Sequence, residues 1–117
     1  MIKKILLVAT IAVISIFTTA QTKHTLDSTT LTARVVADSL DIPWEITWGP
    51  DNYIWMTERF GRVSRVNPTT GEQIVLLDMS SDVYQRSEAG MLGMVLHPDF
   101  ENNSHVFIAY TYVNGSN

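Results

Sequence analysis

From Leu31 onward the chain is written in short runs of β-branched and aromatic residues separated by turn formers. "LTARVVADSL" (31–40) alternates loosely and carries two adjacent valines, which predicts a strand. "WEITW", "YIWMTE", "RVSRVN" and "EQIVLLDM" follow, broken at Pro50-Asp51-Asn52, Phe60-Gly61 and Pro68-Thr69-Thr70-Gly71. Short strands joined by such tight turns predict an antiparallel meander. "SSDVYQRSEAGMLGMVL" opens with an N-cap candidate at Ser80 or Ser81, but its apolar residues cluster at one end instead of recurring at helical spacing. Ser80 to Ala89 is therefore expected as a loop, Met91 to Leu96 as a buried strand, and "HVFIAYTYV" as its partner.

The pattern repeats. "WGPDNYIWMTER" (48–59) and "LHPDFENNSHVFIAYTY" (96–112) each set an apolar run before Pro-Asp and a β-rich run after it, with Pro50 and Pro98 separated by 48 residues. A β-propeller blade repeats every 40 to 50 residues or so. The expected fold class is therefore all-β, a β-propeller, with this chain holding about the first blade and part of the second. A β-sandwich also has regularly spaced short strands and stands as the alternative, although its strands need not repeat a turn motif at a blade period. Roughly three repeats are needed for a stable array. The chain is accordingly expected to be an N-terminal piece of a longer protein, with sheet edges and faces exposed if it stood alone.

The N-terminus changes the picture. Lys3 and Lys4 precede an uncharged apolar run, Ile5 to Phe17, and Thr18-Thr19-Ala20 offers small residues for cleavage, the layout of a secretory signal peptide over 1–20. The run's 13 residues fall short of the roughly 20 that a spanning helix needs. Export to the periplasm or beyond is expected, with no stable membrane insertion after cleavage. Residues 21–30, polar and rich in Thr and Ser, are expected as a flexible leader, and 31–117 as the N-terminal portion of the propeller domain. The chain has no Cys, so an exported fold rests on core and sheet alone. Cleavage after Ala20 leaves six Lys and Arg against twelve Asp and Glu. That balance carries no electrostatic footprint for nucleic acid or an anionic membrane.

Few residues carry candidate chemistry. His97, with Asp99 two positions on, resembles a base with an orienting carboxylate, but turn hydrogen bonding explains both residues and places Phe100 beneath the turn. Asp51 and Asn52 are likewise expected to bond their own turn, and the spacing of a calcium loop is absent. His24, His97 and His105 are too dispersed for a zinc set. Glu58 and Arg59 suggest an exposed ion pair or a contact to the next blade, and Arg62 and Arg65 blade-to-blade anchors. Glu88, in "RSEAGMLG", precedes the strand expected to be innermost in the second blade. Loops entering innermost strands line the mouth of a propeller's central channel, so Glu88 is a candidate ligand for sugar hydroxyls, set against the ordinary reading of a solvated loop acid.

"PWEITWGPDNYIWMTERFGRVSRVNPTTGE" (43–72) followed by "GMLGMVLHPDFENNSHVFIAYTY" (90–112) resembles the N-terminal region of the soluble glucose/sorbosone dehydrogenases. The resemblance implies a six-bladed propeller of four-stranded sheets and a secreted aldose sugar dehydrogenase using pyrroloquinoline quinone (PQQ) with calcium. It implies oxidation of an aldose at the anomeric carbon to a lactone, with hydride passing to PQQ and electrons onward to an external acceptor. It also implies that the catalytic histidine, the calcium ligands and the quinone-contacting arginines lie downstream, so that no catalytic, cofactor-binding or metal residue falls in this chain and the piece alone is inactive. His97 matches the family's "HPDF" turn and not its base. Glu88 aligns with a substrate-binding position where glucose-oxidising relatives carry Gln; an ionised carboxylate accepts hydrogen bonds and cannot donate them. Two other classes stay open: a non-catalytic carbohydrate- or protein-binding propeller, and a calcium-dependent sugar lactonase.

Overall fold

The computed structural model describes residues 21–115, and the expected signal peptide lies outside them. Eight strands appear: β1 (Gln21–Leu26), β2 (Thr29–Arg34), β3 (Pro43–Trp48), β4 (Ile54–Glu58), β5 (Arg62–Val66), β6 (Gln73–Asp78), β7 (Met91–Leu96) and β8 (Val106–Tyr110). The chain divides between Val35 and Val36 into two compact units.

The first unit holds an antiparallel hairpin of β1 and β2, in register from Gln21 opposite Arg34 to Leu26 opposite Thr29. Two expectations change here. A flexible leader over 21–30 gives way to paired strands, and the strand expected to begin at Leu31 begins at Thr29 and ends at Arg34. The polar composition that reads as a leader is dominated by threonine, whose branched Cβ favours extended backbone. Asp27, at φ 51° in the two-residue turn, supplies the positive φ that matches hairpin twist.

In the second unit β3, β4, β5 and β6 form one four-stranded antiparallel sheet in chain order, the expected meander. β7 and β8 form a second antiparallel pair, with β7 lying against β3 and β4. Both strands match their expected positions, and Ser80 to Ala89 is irregular apart from one bridge residue, Val83 opposite Tyr112. Period-2 alternation sorts β4 into two faces. Trp55 and Thr57 point to the second sheet; Met56 and Glu58 are buried on the opposite face, where Asp41 donates its N–H to Glu58 Oε1. The core between the sheets is Trp55, Val63, Val83, Met91 and Met94, with Phe100 edge-on to the Trp55 ring at 5.5 Å.

The repeat seen in the sequence is a repeat of structure. The register of β3 shifts between Pro43 and Ile46, and that of β7 between Met91 and Met94, the same positions 48 residues on. The following turns close in the same way, Gly49 N–H to Tyr53 O at 2.8 Å and His97 N–H to His105 O at 2.9 Å. A bulge bends and re-aims its strand, so a bulge at the same place in both marks them as equivalent. Trp44, Ile46 and Trp48 on β3, and Val95 and Phe107 on the second pair, leave apolar side chains exposed on faces turned away from the shared core. Blades in a ring bury both faces, whereas an isolated pair buries one.

Candidate functional site

The strands carry two sets of connections to opposite ends. The Asp51 and Asp99 turns leave the C-terminal ends of β3 and β7. The starts of β3 and β7 share the other end with the ends of β4 and β8, and Glu88 emerges there in a turn immediately before β7.

Two segments pin that turn. Arg59, just past β4, accepts the Met91 N–H on its carbonyl at 2.7 Å and donates its own N–H to Ile42 O at 3.0 Å. Its Nη1 donates to Ser87 O at 2.6 Å. Thr111, just past β8, donates its hydroxyl to Tyr84 O at 2.7 Å and receives the Gly90 N–H on the same oxygen at 2.9 Å. Ala89 N–H closes the turn on Arg86 O at 3.0 Å. Ser87 sits at φ 53°, a left-handed conformation that costs a non-glycine residue about 1 kcal/mol or more and persists where the surroundings over-determine it. Gly90 is required by close approach: a Cβ there would meet the Arg59 carbonyl oxygen and Cγ. Glu88 itself is exposed and its carboxylate has no hydrogen-bond partner among the described residues, so it is free to accept from a ligand.

The other sequence candidates are structural. Asp99 N–H donates to His97 Nδ1 at 3.1 Å, Asp99 Oδ1 accepts from Asn102 at 2.9 Å, and Phe100 packs under the turn, as turn chemistry predicts. Asp51 bonds its turn through Tyr53 N–H at 3.3 Å, but its reach is longer than a turn requires. Oδ1 also accepts the Trp55 indole N–H at 2.9 Å, and Oδ2 pairs with Arg65 Nη1 at 3.0 Å. Burial pushes the Asp51 carboxyl up; the hydrogen bonds from Trp55, Tyr53 and Arg65 and the Arg65 charge outweigh it and hold the group below its ordinary range. The Arg65 guanidinium also lies over the Tyr53 ring at 4.4 Å.

Glu58 and Arg59 form no exposed ion pair. Glu58 is only 2% exposed and accepts from Asp41 and Gln73, because its side chain alternates to the face opposite β7. Arg59 does make the contact to the next blade. Arg62 pairs with Asp78 at 3.0 Å within its own sheet and lies over Phe60, so neither it nor Arg65 reaches the second sheet through a polar contact.

A cavity of about 540 Å³ opens between the Asp51 and Asp99 turns, lined by Glu45, Trp48, His97, Asp99 and Glu101 among others. It lies at the far end of β7 from Glu88, about 20 Å along a six-residue strand. Three carboxylates make it a poor cradle for an anionic quinone. No group of three or more His, Cys, Asp or Glu among the described residues is placed to hold a metal ion. This cavity thus does not fit calcium or PQQ. No helix among them is long and apolar enough to cross a membrane.

The Glucose / Sorbosone dehydrogenase family profile matches residues 40–117. Quinoprotein glucose dehydrogenase B of Acinetobacter calcoaceticus is 39% identical over 83 residues, which cover 69% of this chain and 17% of that protein. The aldose sugar dehydrogenase YliI of Escherichia coli K12 is 31% identical over 85 residues, 72% of this chain and 23% of that protein. The PQQ-bound form of aldose sugar dehydrogenase from Streptomyces coelicolor superposes with a TM-score of 0.64 at 25% identity, covering 81% of this chain and 26% of that structure. The chain thus spans 17% to 23% of the length of these curated relatives. With the sheets described above, the likeness makes the fold part of a β-propeller, the class read from the repeat, and sets the sandwich aside.

Proposed function

The chain belongs to the glucose/sorbosone dehydrogenase family, and we propose that it forms the opening blade and the start of the second in an exported sugar dehydrogenase that oxidises an aldose at its anomeric carbon to a lactone. The sugar gives up a proton and a hydride, and electrons leave for an external acceptor. PQQ, held with calcium by residues outside 21–115, supplies the two-electron oxidant when bound. The work of this chain's own residues is to bind and orient the sugar. Lys3, Lys4 and the apolar run Ile5 to Phe17 support export to the periplasm or beyond.

The observation that carries the reading is the Glu88 turn: it is held rigidly at the entrance to the inner strand of the second blade, yet its carboxylate stays uncommitted. A fixed acceptor there meets a sugar hydroxyl without first losing a bond to the protein, and the ordering cost is met in folding. The test is Glu88→Ala and Glu88→Gln in the full protein loaded with PQQ and calcium, with steady-state kinetics on a panel of aldoses and a dye acceptor. Glu88→Ala is expected to raise KM about 10- to 100-fold, the range for one hydrogen bond to a charged group. Glu88→Gln is expected to change the order of preferred sugars, because an amide also donates. Unchanged KM values across the panel for both variants would remove Glu88 from the site.

A further inference from the structure

Arg59 joins three segments that the sequence keeps apart. Its main chain bonds Ile42 before β3 and Met91 at the start of β7, while its side chain crosses to the second blade, where Cγ lies against Gly90 and Nη1 donates to Ser87 O at 2.6 Å. One contact is to the residue directly before Glu88 and the other to the residue two positions after it. Ser87 is held in a left-handed backbone conformation at the carbonyl that Arg59 grips. The Nε of Arg59 is buried and has no hydrogen-bond partner among the described residues, so the side chain is placed here for the reach of its terminal nitrogen and the packing of its stem.

We infer that Arg59 is a positioning residue for sugar specificity: it fixes the direction of the Glu88 carboxylate by clamping the Ser87 carbonyl from the neighbouring blade, an inference that rests on the reading of Glu88 as a sugar contact. A short turn with a left-handed residue at its centre has an extended alternative close in energy, and relaxing to it rotates the next side chain away from its ligand. Thr111 holds the two ends of the segment, at Tyr84 and Gly90; among the described residues Arg59 alone holds the carbonyl next to Glu88. The clamp acts on binding geometry and touches no reacting atom, so it moves KM and leaves the chemical step alone.

The experiment uses the full protein loaded with PQQ and calcium and compares Arg59→Met, Arg59→Lys, Glu88→Ala and the double variant Arg59→Met/Glu88→Ala. Methionine keeps an apolar stem over Gly90 and loses the donor; lysine keeps a donor of similar reach. Arg59→Met is expected to raise the aldose KM about tenfold with kcat within about twofold, and Arg59→Lys to recover most of that loss. In the Glu88→Ala background Arg59→Met is expected to change KM by less than about twofold, since the two act as one unit. Hydrogen exchange supplies a readout without turnover: the Ala89 and Gly90 amides, bonded to Arg86 O and Thr111 Oγ1, exchange faster in Arg59→Met while the β4 and β5 amides do not. Equal KM increments in both backgrounds, or an unchanged KM in Arg59→Met, would overturn the clamp while leaving Glu88 in the site. A Glu88→Ala protein with normal KM removes Glu88 and the clamp's purpose together. Should Arg59→Met fail to fold, Arg59→Lys in the two backgrounds carries the same comparison, and a KM rise in it that Glu88→Ala does not abolish is equally fatal.

Discussion

Replacing Asp51 tests whether the repeated turn is held by its own chemistry or only by its hydrophobic neighbours. Asp51→Ala removes two acceptors at once. The Trp55 indole N–H, on a residue buried in the inter-sheet core, loses its partner at 2.9 Å, and an unsatisfied buried donor costs about 1–3 kcal/mol. Arg65 loses its partner at 3.0 Å; side-chain exposures of 32% and 22% put that pair toward the low end for a charged hydrogen bond, about 1 kcal/mol. The stacking of Arg65 on Tyr53 survives the change. Together the loss is about 2–4 kcal/mol. Asp51→Asn separates the parts, since its oxygen still accepts from Trp55 while its amide meets Arg65 donor to donor. It is expected to lose about half as much. Urea unfolding of the full protein, followed by tryptophan fluorescence at constant m-value, reads both. The pH dependence has a definite sign. The folded carboxyl titrates below its ordinary value of 3.8, so its stabilisation is fully present above that value and is lost as pH falls through the lower folded value. The gap between wild type and Asp51→Asn should therefore narrow only in acid. An Asp51→Ala protein within about 0.5 kcal/mol of wild type at pH 7 refutes the argument. So does a double-mutant cycle with Trp55→Phe that shows no coupling.

Other expectations follow from the same geometry. Thr57→Val keeps shape but strips a buried hydroxyl that donates to Leu92 O at 2.6 Å and accepts from Glu45 N–H at 3.1 Å; chemical denaturation should show a loss of about 1–3 kcal/mol, and a neutral result would mean that the Thr57 hydroxyl contributes nothing to joining the two sheets. Gly90→Ala puts a Cβ onto the Arg59 carbonyl at a positive φ, with an expected loss of more than about 1 kcal/mol and faster exchange at the Met91 amide. Asp78 is held at about 2 by hydrogen bonds from Ser80 and by Arg62; carbon-detected NMR titration should find it there, and an ordinary value near 3.8 would contradict the Ser80 bonds. Stability owed to Asp78 is present above 3.8 and disappears as pH falls through about 2.

Much of the scaffold was legible because strands announce themselves locally. Period-2 runs broken by Pro, Gly, Asn and Asp placed β3 to β8 correctly, since these side chains and turns need only near neighbours to choose extended backbone. The hairpin of β1 and β2 was missed for a local reason too: polar threonine-rich composition suggests a leader, while branched Cβ atoms favour a strand, and only a pairing partner decides between them. The candidate site was legible as one residue, Glu88. What holds it was not, for Arg59 and Ser87 stand 28 positions apart in the chain and Thr111 is 27 from Tyr84.

The sequence by itself determined the strand succession, the 48-residue repeat and the family resemblance, because each is a pattern in residue order. The tertiary structure alone decided which residues meet between the sheets. Glu58 and Arg59 are neighbours in the chain that point to opposite sides, one into a buried bond with Asp41 and the other across to Ser87. A one-residue step along a strand reverses the side chain, and which side faces the next blade depends on how the sheets pack.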